Sequence, residues 1–165
     1  TLASDPALIS PLVAYIQEDL ERVEFADEQV RSQIGTALLE GLSNAMIHGN
    51  LEVSSELRRD GTEAYHALIQ QRRESEPWAS RRVSCTMELR PDEARFVIRD
   101  EGAGFDRSSL PDPTRPENML KAQGRGLFLM HAFMDDVEHN EAGNELTLVK
   151  RIGAGAAERG QSAAG

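Results

Sequence analysis

The chain has 165 residues, 39% of them apolar and 28% charged, with a formal net charge of −10. These values fit one globular domain with a single core and exclude a membrane-spanning chain, since no apolar run approaches the roughly 20 residues a bilayer needs. The acidity also weighs against binding nucleic acid, whose phosphates would be repelled, although a nucleotide needs only a local site.

Thr1 rather than Met stands first, so a leading segment is expected upstream; no secretory signal is visible, and a cytoplasmic location is expected. Ser4-Asp5-Pro6 predicts a helix start, and Leu8, Leu12, Ile16 and Leu20 then repeat every four residues to about Val23. Asp27 can cap a second helix running to about His48. A third helical region opens at Ser54 or Ser55, breaks near Asp60-Gly61 and resumes from Thr62 to about Glu74. Its apolar stripe is Tyr65, Leu68 and Ile69, and Arg72, Arg73, Glu74 and Glu76 read as a solvated face or as the exit from the helix. Pro77 ends it.

Val83, Cys85, Met87 and Leu89 alternate with polar residues and predict a half-buried strand. Cys85 is the only cysteine, so an intrachain disulfide or thiolate metal cluster is excluded, and the four histidines lack close metal-ligand spacing. Pro91-Asp92-Glu93 turns the chain into a second strand, Phe96–Ile98, which ends at Asp100. A long loop from Glu101 to Gln123 follows, with a short helical turn near Pro116–Lys121. A helix Gly126–Met134, a strand Val137–Asn140, a turn at Ala142-Gly143 and a last strand Glu145–Ile152 complete the order. Residues 153–165 predict a disordered tail. Helices first and strands after, with one late helix, give an α+β class: a two-layer sandwich with a mixed, mainly antiparallel sheet and helices on one face.

The second helix has an unusual polar face. Ile34, Leu38, Leu42, Ala45 and Met46 gather on one side, and Thr36, Glu40, Ser43 and Asn44 on the other. Solvated faces carry several charges, yet between Thr36 and Gly49 only Glu40 is fully charged. That face is therefore expected to be covered. Glu40 and Asn44, four apart, project together. The amide oxygen suits Mg²⁺ and the carboxylate suits proton abstraction. A buried polar pair with no ligand fits the same pattern.

Two glycine segments add to this. Asp100-Glu101-Gly102-Ala103-Gly104-Phe105 places an acid at a strand end before two glycines, which allows close approach of a flat ligand whose exocyclic amine the acid could accept. A tight turn would look alike. Gln123-Gly124-Arg125-Gly126-Leu127 precedes a helix, where free amides and a cation favour phosphates, and a plain loop-to-helix turn is again the alternative. The loop between them has the length of a lid. Neither a Walker A sequence nor a complete Rossmann fingerprint is present.

Taken in order, these segments resemble the GHKL (Bergerat-fold) ATPase/kinase superfamily. Glu40-x-x-x-Asn44-Ala45-x-x-His48-Gly49-Asn50 resembles its N box, Asp100-x-Gly102-x-Gly104-Phe105 its first glycine box, and Gly124-Arg125-Gly126-Leu127 its second. Gly143–Leu148 resembles the strand closing the adenine pocket, with Thr147 as the matching hydroxyl. Small size, the His48-Gly49-Asn50 ending and a short lid are most similar to the anti-sigma-factor serine/threonine kinases. A helical insertion at about residues 51–80 departs from that pattern.

The resemblance implies an ATP-binding kinase domain over residues 1–152, with ATP and Mg²⁺ as cofactors. It implies Glu40 as general base, Asn44 as Mg²⁺ ligand, Asp100 on the adenine amine, and Gly102 and Gly104 admitting the ring. Gly124, Arg125 and Gly126 would hold phosphates, with His48, Phe105, Leu127 and Thr147 also at the nucleotide. Implied partners are a small STAS-like antagonist protein, a sigma factor and a second copy of the chain, with neither nucleic acid nor membrane. The implied function is transfer of the ATP γ-phosphate to a Ser or Thr of that antagonist. The alternatives are a nucleotide-dependent regulatory module without catalysis, or a histidine-kinase catalytic domain acting on a separate His domain.

Overall fold

The computed structural model describes residues 1–55, 57, 62–104 and 122–153. The expected helix break at Asp60-Gly61, the loop through Lys121 with its helical turn, Phe105 and the tail lie outside these residues.

A short strand β1 (Leu2–Ala3), absent from the sequence expectation, leads into a 3-10 turn (Pro6–Leu8) that Asp5 caps through Ala7 N–H. Helix α1 spans Ile9–Arg22 and buries Ile9, Val13, Ile16 and Leu20. The expected stripe of strict four-residue steps is corrected at its start: Leu8 is exposed and Leu12 only half-buried. Alternating steps of three and four follow the 3.6-residue turn, from which strict steps of four drift away.

Helix α2 (Glu28–Ser43) starts as expected, with Asp27 Oδ1 accepting from Val30 N–H at 2.8 Å and Glu28 in the first turn. It does not run on to His48 as an ordinary α-helix. From Asn44 to Asn50 the chain forms a π segment. Leu51 N–H bonds Met46 O five residues back, and Val53 N–H bonds Ile47 O. Helix α3 (Thr62–Arg73) buries Tyr65 and Ile69. Arg72 and Arg73 are not a solvated face. Arg72 donates to the carbonyls of Leu51 and Glu52 and lies over the Trp78 ring, while Arg73 pairs with Asp5. A 3-10 turn (Trp78–Ser80) then leads into the sheet.

Strands β2 (Arg82–Leu89), β3 (Glu93–Arg99), β4 (Asp136–His139) and β5 (Glu145–Arg151) join β1 in the order β1-β2-β3-β5-β4. Every pairing is antiparallel, so the α+β sandwich stands and the mixed character is corrected to antiparallel among the described strands. The register places Cys85, Ile98, Leu146 and His139 on one rung and Met87, Phe96, Leu148 and Val137 on the next. Helix α2 lies on this face: a Cβ added at Gly41 would stand 2.9 Å from Leu146 Cδ2 and 3.0 Å from Ile98 Cδ1. Helices α1 and α4 (Ala122–Phe133) flank α2. Leu38, Leu42, Phe96 and Leu148 are fully enclosed, each burial contributing about 1.5–3 kcal/mol before entropy is counted. The opposite face carries Ser84, Arg99 and Glu145 on one rung and Glu88, Arg95 and the buried Val149 on another, so it is mainly polar.

Candidate functional site

At the end of β3, Asp100 is 7% exposed. Its Oδ1 accepts Gly102 N–H at 2.9 Å, and its own N–H donates to Asn144 O at 3.0 Å. Burial pushes the carboxyl up to about 6; the Gly102 N–H and the Arg81 charge pull the other way and lose. The glycines around it answer first to the protein's own packing. A Cβ at Gly49 would stand 2.5 Å from Asp100 Cγ, and one at Gly102 would stand 2.3 Å from Gly49 O. Gly104 has φ +74°, and its Cβ would meet Ala142 O at 1.8 Å. The π segment, the β3 end and the β4–β5 turn can meet here only through side-chain-free positions.

Glu40 and Asn44 stand one turn apart, where α2 passes into the π segment. A Cβ at Gly126 would lie 2.5 Å from Glu40 Oε2, so α4 sits directly over this carboxylate. Helix α4 begins at Ala122, four residues earlier than expected. Gly124, Arg125 and Gly126 therefore belong to its first turns and do not form a loop ahead of it. Arg125 is exposed and does not line the cavity below. His48 Nδ1 lies 2.6 Å from Val53 O; a carbonyl only accepts, so Nδ1 is the donor of this bond.

Between these groups lies a cavity of about 680 Å³. It brings together Glu40, Asn44, His48, Asp100, Gly104, Gly126 and Leu127. Thr147 is corrected out of this set. It pairs across the sheet with Val97 and Glu138, and strand alternation turns it to the face away from the helices, while its neighbour Leu146 lines the cavity beside Ile98. Gly102 supports the wall through Gly49 and Asp100. Sequence reasoning missed the apolar walls: Ile98 and Leu146, directly paired, with Met130 of α4. The two strands' alternation would have flagged Ile98 and Leu146. It also missed Glu52, Val53 and Tyr65, which bring the segment after the π segment into the cavity. Only the fold-back of the chain, fixed by Val53 O on His48, reveals that role.

A family model described as a histidine kinase-like ATPase domain matches residues 2–150. The chain belongs to the histidine kinase-like ATPase family. No curated protein matches the chain.

As a histidine kinase-like ATPase, the chain carries a nucleotide-binding, kinase-like domain, and the cavity has the shape for it. Ile98, Leu146 and Met130 give it apolar walls from β3, β5 and α4, and Glu40, Asn44, His48 and Asp100 give it polar groups. The donor set also fits the Mg²⁺ such domains use. Among the described residues no cluster of three or more His, Cys, Asp or Glu could hold a metal alone. Mg²⁺ keeps several waters and needs only one or two protein oxygens beside phosphates, and Asn44 offers an amide oxygen at the cavity edge. Among the described residues no helix is long and apolar enough to cross a membrane.

Proposed function

We propose that this ATPase domain is a serine/threonine protein kinase of the anti-sigma-factor type, with residues 1–152 as its nucleotide-binding unit. It would transfer the ATP γ-phosphate to a Ser or Thr of a small antagonist protein. The observation that carries the reading is the placement of Glu40 and Asp100 in one cavity, with Asn44 a turn beyond Glu40 and Gly126 of α4 against its carboxylate. The ordered motif set in the sequence, Glu40-x-x-x-Asn44, Asp100-x-Gly102-x-Gly104 and Gly124–Leu127, supports it.

In this reading Asp100 accepts the exocyclic amine of adenine, and Ile98, Leu146 and Met130 enclose the ring. Asn44 would hold Mg²⁺, which would supply neutralisation of phosphate charge, and the first-turn amides of α4 would donate to the phosphates. Glu40 takes the proton of the attacking hydroxyl as that oxygen bonds to the γ-phosphorus. The bond from phosphorus to the β–γ bridging oxygen breaks, and ADP leaves with that electron pair.

Incubation with Mg²⁺-ATP and a cognate antagonist should yield acid-stable phosphoserine or phosphothreonine. Glu40→Ala should keep ATP binding and lose transfer by about a hundredfold or more. Normal transfer by this variant would remove Glu40 from the chemistry. An acid-labile phosphate would make the acceptor a histidine, and tight ATP binding with no labelled protein would make the domain a nucleotide-dependent regulator.

A further inference from the structure

Asn50 is fully buried, yet it faces away from the cavity into a chain of polar contacts. Its Oδ1 accepts Glu101 N–H at 2.7 Å, and its Nδ2 donates to Ser4 Oγ at 2.8 Å. Ser4 Oγ in turn donates to Arg81 O at 3.1 Å. Arg81 Nη1 donates back to Asn50 O at 2.7 Å and to Glu52 Oε1 at 2.8 Å. The other oxygen of Glu52 accepts Trp78 Nε1–H at 3.0 Å. Arg72 of α3 closes the chain by donating to the Leu51 and Glu52 carbonyls while lying 4.6 Å from the Trp78 ring centre.

Two features mark this chain as more than local packing. Glu52 stands at φ +52°, a left-handed conformation uncommon for a non-glycine residue and found also at Glu24 and Ala26, and its carboxylate is held from two sides by Arg81 and Trp78. Glu101 is gripped twice, by its N–H on Asn50 and by its Oε2, which accepts Arg82 N–H at 2.8 Å. Glu101 directly follows Asp100. Whatever fixes the Glu101 N–H fixes the peptide plane from which the Asp100 side chain springs, and an amide accepts from Glu101 and donates to Ser4 at once, which neither a carboxylate nor an ammonium can do.

We propose that Asn50 is a positioning residue for base recognition, and that Glu52, Arg72 of α3 and the Trp78–Arg81 turn act on the nucleotide site through the chain Trp78–Glu52–Arg81–Asn50–Glu101. The proposal rests on the reading of Asp100 as the acceptor for the adenine amine. The inserted helix is then a brace for the base end of the cavity, and its position and the choice of base are linked.

The test is calorimetric titration of ATP and GTP, with Mg²⁺, into wild type, Asn50→Ala, Ser4→Ala and Asp100→Asn. Asn50→Ala should lose about tenfold in ATP affinity, the scale of one buried hydrogen bond, with GTP little changed, so the ATP/GTP preference collapses. Ser4→Ala, which removes only the hydroxyl behind the amide, should lose less in the same direction. A merely structural role would lower the folded fraction and leave the preference of the folded protein intact. A folded Asn50→Ala protein with wild-type preference overturns the proposal. Should that variant not fold, a wild-type preference in Ser4→Ala overturns it. An unchanged Asp100→Asn would instead defeat the reading of Asp100 itself, and the two failures are thereby told apart.

Discussion

Asp100 shows how burial changes what a residue can be used for. The ordinary value of its carboxyl is 3.8, and burial raises it to about 6 in the folded chain. Between those values the native state holds a proton that the unfolded chain has released. Stability without nucleotide therefore falls as pH rises from about 4 to about 6 and is flat above, and two pKa units correspond to about 2–3 kcal/mol. Asp100→Asn keeps the oxygen that takes Gly102 N–H and removes only the charge. It should be more stable than wild type above pH 6 by about 2–3 kcal/mol, with the gap closing toward pH 4. Urea unfolding at pH 4 and pH 7 checks this, and parallel curves at both values would refute it. An acid at a strand end before two glycines was legible from spacing. Its burial was not, because Gly49 and Asn50 reach it from fifty residues away.

Among the elements, α2 is the one whose start is written locally. Asp27 satisfies an amide that the helix leaves open, and Glu28 adds negative charge where the helix dipole is positive. Asp27→Ala should cost about 1 kcal/mol and lower the urea midpoint with an unchanged slope; an unshifted midpoint would show that the cap is replaced by water at no loss. The other end of the same helix was not legible. Asn44–Met46 continues the apolar spacing of an α-helix, and nothing local announces the wider π turn. It forms because Leu51 and Val53 send their amides back to Met46 and Ile47, and because His48 grips Val53 O. Such widened turns recur at functional sites, and this one carries Asn44 and His48 into the cavity. The start of α4 was misplaced for a related reason. Gly124 read as a loop residue and Gly126 as the first of the helix, yet both lie inside it, and position 126 is glycine because a side chain there would strike Glu40.

On the scale of the molecule, one helix layer on one antiparallel sheet leaves a single apolar layer to hold both together. Phe96, flanked by Met87 and Leu148 in register and 0% exposed, stands at its centre. Phe96→Ala should cost about 3–5 kcal/mol, read as a lower midpoint in thermal or urea unfolding. A loss under about 1 kcal/mol would mean that the layer collapses onto the gap. The same layer explains why the cavity lies at its edge. Ile98 and Leu146 belong to the core rungs and also to the cavity wall, so the site is the open margin of the core.

The amino-acid sequence by itself determined the α+β order of elements, the hairpin of β2 and β3, the cap of α2, and the pairing of Glu40 with Asn44 on one helix face. Each follows from local periodicity or from short motifs whose side chains act near their own backbone; that Asp100 joins Glu40 and Asn44 was implied by the family resemblance. Tertiary structure alone decided that Thr147 faces away from the cavity, since a one-residue step in a strand inverts the side-chain direction. It alone turned Arg72 and Arg73 from solvated charges into braces, because their partners Leu51, Glu52, Trp78 and Asp5 are remote in sequence. It alone made Asn50 a link between Arg81 and the Glu101 backbone beside Asp100. A hydrogen bond between residues fifty positions apart leaves no period in the chain, and only the packed structure brings its two ends together.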